Sequence, residues 1–217
     1  MNKKLGTVLT GSNLTYYKDE SVMLSSMSYW HSGYFGHQAI PWIASTGQLS
    51  IFGVVGEGQS VPTGGTCASQ GLPYVVQLHN MALIGYHPDA TLKSTVLAEG
   101  GNVDVLFRWP FNSFDETIVS GNWTVSREGD SYVALRPVYL PTEKVDDVVI
   151  GSDYIWSDAD PSVWAVVVGN NILSGSFTQF VSSLGACEVY SDIATDGKSI
   201  ATEINVQGNT LKLDINL

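Results

Sequence analysis

Apolar side chains recur at every second position along much of this chain, and that spacing constrains its fold more than any other feature. Ile200, Thr202, Ile204 and Val206 share one face of an extended segment, and Leu211, Leu213 and Ile215 share another. Period two is the repeat of a β-strand; a helix needs 3.6. Gly208-Asn209 between the two runs supplies a tight turn that accepts positive φ. Trp123, Val125 and Arg127 lead into Glu128-Gly129-Asp130, and Tyr132 to Arg136 resumes, giving a second hairpin. Further strands are predicted at Val22–Tyr29, Gln38–Ala44, Gln48–Val55, Tyr74–His79, Met81–Tyr86, Val103–Arg108, Val145–Ile150 and Val163–Val168. Short strands separated by turn signals read as an all-β chain, a large antiparallel β-sandwich. Residues 1–217 are expected to form one such domain, with 1–20 as a peripheral arm and 56–71 as a long glycine-rich loop.

One helix interrupts the pattern. Ser176 caps it, and Gln179 three residues on completes a capping box. Phe177, Phe180, Val181 and Leu184 follow at i, i+3, i+4 and i+7, with Gly185 as the stop. Such a helix, near the C-terminus, covers one end of a sheet.

Composition enters as a filter on function. Charged residues are only 14% of the 217 positions and the net charge is −11. Lys and Arg are scattered, so no basic patch exists to hold nucleic acid against that charge. Anionic membrane surfaces are disfavoured for the same reason. No apolar run approaches the roughly 18 residues of a spanning helix. Met1-Asn2-Lys3-Lys4 begins like a signal peptide, but the residues after it are too short and polar for the apolar core of one. The chain is therefore expected to be cytoplasmic or to start at a fragment boundary. Cys67 and Cys187 allow one disulfide or two free thiols, with free thiols the first expectation.

Several segments occur in an order that resembles a known family. They are Leu24-Ser25-Ser26, Gly33, Gly36-His37-Gln38, Trp42-Ile43-Ala44, Leu72 to Gln77, Phe111 to Glu116 and, most fully, Trp123 to Leu135. Gly175-Ser176-Phe177 with Phe180-Val181 closes the series. Together they resemble the C-terminal β-sandwich domain of bacterial heparinase II/III-like polysaccharide lyases. The resemblance implies a sandwich that normally follows an (α/α) toroid carrying much of the active cleft, in a secreted or periplasmic protein. Nothing before residue 20 supplies that toroid, and Val61-Pro62-Thr63-Gly64-Gly65-Thr66-Cys67 stands where an Arg-Pro-Gly-aromatic stretch would be expected.

Uronate lyases remove the proton α to a carboxylate, which needs a base and a group that stabilises the enolate-like intermediate. Tyr34 and His37 are the residues the resemblance carries over as base candidates; the same Gly-aromatic stretch also reads as a turn filling a core corner. Arg108 offers a cation for a sugar acid. Trp109, Trp156, Tyr154 and Gln38 are expected to bind substrate, the rings by stacking on sugar faces. Histidines 31, 37, 79 and 87 invite a structural zinc, which the resemblance also allows, but no tight ligand spacing occurs among them. Asp153, Asp158 and Asp160 form an acidic loop open to calcium; a solvated turn explains them as well. No cofactor is required.

The expected function is that of an accessory, carbohydrate-associated β-sandwich in a polysaccharide-lyase-like system, not catalytic alone. A self-sufficient uronate lyase acting by β-elimination through Tyr34 and His37 is the alternative, and a structural assembly subunit a third. Expected partners are a polysaccharide or oligosaccharide, and a helical toroid domain or chain. The net charge favours neutral or mildly acidic glycans over heparin-like polyanions.

Overall fold

The structure is a computed structural model that describes residues 13–28, 40–57, 73–87, 103–141, 148–195, 197–206 and 208–216. Three antiparallel sheets account for most of it. The large sheet has seven strands in the spatial order β1 (Asn13–Asp19), β2 (Val22–Ser28), β3 (Trp42–Thr46), β4 (Leu49–Glu57), β7 (Val103–Arg108), β12 (Tyr154–Ser157) and β11 (Val149–Ile150). The middle sheet has six, ordered β5 (Tyr74–Leu78), β6 (Met81–Tyr86), β13 (Ser162–Asn170), β10 (Ser131–Tyr139), β9 (Trp123–Glu128) and β8 (Glu116–Ser120). The small sheet is β14 (Glu188–Ile193), β15 (Ser199–Val206) and β16 (Asn209–Asn216).

Alternation along the middle strands sorts their side chains into two cores. On β13, Trp164, Val166 and Val168 join the core shared with the large sheet, while Val163, Ala165 and Val167 join the core shared with the small one. On β6, Ala82, Ile84 and Tyr86 point one way and Met81 and Leu83 the other. The all-β sandwich expected from the sequence is present, and a third layer is added to it. Every residue of β13 is buried as a result. A strand covered on both faces reads as a continuous apolar run, and Val163-Trp164-Ala165-Val166-Val167-Val168 is one.

Two glycines let the layers approach. A side chain on Gly53 of β4 would strike the Tyr86 hydroxyl, and one on Gly85 of β6 would strike Ile215 of β16. The helix Phe177–Gly185 carries the expected capping box between Ser176 and Gln179. It packs Phe180 and Leu184 into the second core beside the small sheet, and the indole N–H of Trp123 donates to the carbonyl of Leu184 at 3.2 Å.

Some expected boundaries shift. Residues 13–19, within the expected N-terminal arm, form edge strand β1, paired with β2 along its length. Strand β4 runs on through Gly56 and Glu57, the first two residues of the expected loop; residues 58–71 of it lie outside the described residues. Strand β3 starts after Pro41, whose ring nitrogen has no proton for a ladder. No helix among the described residues is long and apolar enough to cross a membrane.

Candidate functional site

The outer face of the large sheet gathers three of the candidate residues, Arg108, Tyr154 and Trp156. Directly opposed residues on neighbouring strands point to the same side. Arg108 of β7 lies opposite Phe52 of β4 on one flank and Tyr154 of β12 on the other. Two positions back on β7, Leu106 lies between Val54 and Trp156, and Trp156 is in turn opposite Val149. Their neighbours in sequence, Gly53, Phe107 and Ile155, face inward toward the first core. Phe52, Tyr154 and Trp156 are half-buried, and Arg108 is exposed.

The row continues across the sheet. Tyr16 is opposite Ser25, Ser25 is opposite Ile43, and Ile43 lies one step past the Ala44–Ile51 pair that brings β3 to β4, so it flanks Phe52. Six strands spaced about 4.8 Å apart give a band about 24 Å wide from Tyr16 to Tyr154. At the Tyr16 end it dips into a hollow of about 230 Å³ lined by Tyr16, Ser25, Met27 and Ile43.

Arg108 is electrostatically distinct. The chain has three arginines. The Arg127 guanidinium donates to Glu116 at 2.8 Å, and Arg136 lies over the Trp123 ring at 5.3 Å, where burial pulls its pKa down. Among the described residues no carboxylate pairs with Arg108. An exposed guanidinium between two aromatic rings can take an anionic oxygen while the rings take the C–H faces of a sugar.

Rigid packing holds this row from behind. Phe107 sits 4.6 Å from Trp164, 5.9 Å from Tyr86 and 6.1 Å from Trp42, centroid to centroid. The Trp42 indole donates to the Tyr86 hydroxyl at 3.0 Å, and burial raises the Tyr86 pKa well above the ordinary phenol range, the indole hydrogen bond offsetting part of the rise.

Trp109 does not belong to the surface. It is wholly buried, its indole N–H donates to Ser126 Oγ at 2.8 Å, and its ring rests near Phe114 at 5.8 Å. Its expected stacking role on sugar is corrected: strand β7 ends at Arg108, and the next residue turns into the core. Tyr34, His37, Gln38 and His31 lie outside the described residues.

The metal candidates separate. His79 occupies the β5–β6 turn with φ 51°, and His87 follows β6 with its Nδ1 2.9 Å from Asp160 Oδ1. Six residues of strand, about 20 Å, stand between them, so the two cannot share an ion. That Asp160 contact also draws one member of the expected calcium loop toward an imidazole. No group of three or more His, Cys, Asp or Glu able to hold a metal occurs among the described residues. Asp115 and Glu116 have separate structural partners: Asp115 accepts from the Gly129 N–H at 2.6 Å, and Glu116 from Arg127. Cys187 is a half-buried free thiol whose pKa is raised by burial.

Sequence reasoning missed Phe52, Ile43 and Tyr16. Only the register of four strand pairs reveals that they align with Arg108, although an apolar residue on the outer phase of a strand was the available signal.

No family model matches the chain, and no curated protein matches it. Among solved structures it is similar to the crystal structure of heparinase III, at 11% identity and a TM-score of 0.34, over 95% of this chain and 27% of that one.

Proposed function

We propose that this chain is a carbohydrate-associated β-sandwich of a polysaccharide-lyase-like system that holds saccharide on the outer face of its large sheet and does not cleave it alone. The observation that carries the reading is the Phe52–Arg108–Tyr154 row with Trp156 beside it. Flat rings on either side of one exposed cation match a glycan that bears carboxylates. They do not match a densely sulfated chain, which the net charge of −11 repels. The ordered segments that resemble heparinase II/III-like lyases add the polysaccharide-lyase context.

Chemistry by this chain alone would need a base, and β-elimination also needs charge stabilisation on the same carboxylate. Arg108 supplies a cation at the row. The base candidates Tyr34 and His37 belong to the alternative reading, a self-sufficient lyase. A helical toroid partner would supply the missing groups under the favoured one.

Calorimetric titration with oligomers of galacturonate and of alginate separates the readings. Binding without new ultraviolet absorbance from an unsaturated uronate is the expected result, and Arg108→Ala should weaken it. Turnover that disappears in Tyr34→Phe would establish the lyase instead. Large particles in light scattering, indifferent to sugar, would assign the face to assembly.

A further inference from the structure

A second feature lies on the opposite, inward side of the large sheet's edge. Along β2, inward residues read Val22, Leu24, Ser26 and Ser28. The first two are buried core; the last two replace apolar side chains with hydroxyls. Their cross-strand partners on β1 repeat the change, with Thr15 opposite Ser26 and Asn13 opposite Ser28. Apolar residues at these positions would close the sandwich against β5. Polar ones leave a groove of about 590 Å³, bounded across from them by Val75 and Gln77 of edge strand β5; it wraps that edge to Tyr74, which lies on the opposite side of β5 with Leu213 of the small sheet nearby.

Gln77 fixes the polarity of that groove. Its amide nitrogen donates to the Leu24 carbonyl at 2.9 Å and to the His79 carbonyl at 3.0 Å, which assigns the amide's orientation and uses both of its protons. Its oxygen is buried and has no hydrogen-bond partner among the described residues. Buried acceptors are nearly always paired, so an unpaired one at a groove wall marks a place for a donor. Tyr74, by contrast, is 44% exposed, a ring left open at the rim. Among the described residues, none lining the groove carries a formal charge.

We infer that this groove is a second saccharide subsite, selective for neutral sugar hydroxyls. Hydroxyl and amide groups of Asn13, Thr15, Ser26 and Ser28 exchange hydrogen bonds with the sugar, Gln77 accepts from one of its hydroxyls, and the Tyr74 ring covers a C–H face where the sugar chain rounds the edge of β5. It is independent of the Arg108 row: it lies on the other face of β1 and β2, recruits the edge of the middle sheet, and works without charge. The carbohydrate reading above guides only the choice of probes.

Calorimetry on the full chain with maltohexaose, cellohexaose and xylohexaose tests it. At least one should bind, with an affinity unchanged by raising salt from low to physiological strength, because no ion pair is available to screen. Tyr74→Ala, at an exposed position that leaves the fold intact, should weaken that binding by about tenfold, the scale of one lost aromatic contact. Ser28→Val, which fills the groove, should weaken it as well, and Arg108→Ala should not. Absence of binding by all three neutral sugars, or wild-type affinity in Tyr74→Ala, overturns the inference. Binding of uronate oligomers alone would leave the Arg108 row standing and remove this groove. Neutral binding lost in Tyr74→Ala, with no uronate binding, would do the reverse.

Discussion

The two outer faces of this three-layer stack are made from the same kind of strand and carry different side chains. On the small sheet, Tyr190, Glu203 and Lys212 form one outward row, with Asp192, Ala201 and Asp214 beside it, and Lys212 pairs with Glu203 at 2.6 Å. That is the polar face of an antiparallel sheet packed on one side and solvated on the other. On the large sheet, the outward positions hold Tyr16, Ile43, Phe52, Tyr154 and Trp156 around Arg108, with Lys18 exposed on β1 and Val54, Leu106 and Asp104 buried. Among the described residues, rings rather than ion pairs flank Arg108, and the carboxylate on the same face of its strand, Asp104, is buried four residues away. The difference teaches that the sheet fold alone does not dictate the apolar outer face.

Changes in the cores give the largest effects and test how far the two faces are independent. Phe107→Ala removes the ring behind the Arg108 row and should cost about 3–5 kcal/mol of stability in a urea titration. It should also weaken uronate binding, because Arg108 and Tyr154 lose their backing. Ile204→Ala, in the core under the small sheet, should cost about 2–5 kcal/mol and leave the affinity of the folded protein unchanged. Equal loss of affinity in both variants would break the comparison.

Surface changes come next. The double variant Tyr154→Ala, Trp156→Ala should lower oligo-uronate affinity about 30-fold, the scale of a binding hot spot, with little change in melting temperature. Tyr190→Ala on the other face should leave affinity unchanged.

Alkaline pH probes the packing behind the Arg108 row. Burial raises the Tyr86 pKa, so the unfolded chain releases this proton first as pH rises. Stability contributed by the neutral phenol is complete below the unfolded value near 10 and falls above it. Urea midpoints should drop above about pH 10, with a shallower slope in Tyr86→Phe. The smallest effect is expected for Lys212→Ala: its pair with Glu203 is solvent-screened, so neither binding nor melting should move measurably.

Much of this fold is written locally, and the site is not. Met81–Tyr86 and Val103–Arg108 are strands with the bounds that their sequence predicts, and Ser176 with Gln179 places the helix start. In those segments, apolar period and turn chemistry act over a few residues. Strand β14 escaped because Glu188-Val189-Tyr190-Ser191-Asp192-Ile193 lies at an edge and buries little, so its sequence lacks an apolar repeat. The third layer was signalled by the unbroken apolar run on β13, but alternation elsewhere read as two layers. Trp109 looked available as a ring to stack on sugar; in the fold it is buried with its indole on Ser126, 17 residues away. Arg108, Phe52 and Tyr154 come together only through register between strands distant in sequence, which no local pattern encodes.

Hydroxyl-radical footprinting with and without a saturating mixture of galacturonate and alginate oligomers is the most direct test of the asymmetry between the faces. The expected result is protection of Phe52, Tyr154 and Trp156, with Tyr190 labelled equally in both samples. Protection of Tyr190, or unchanged labelling of all four residues, would contradict it.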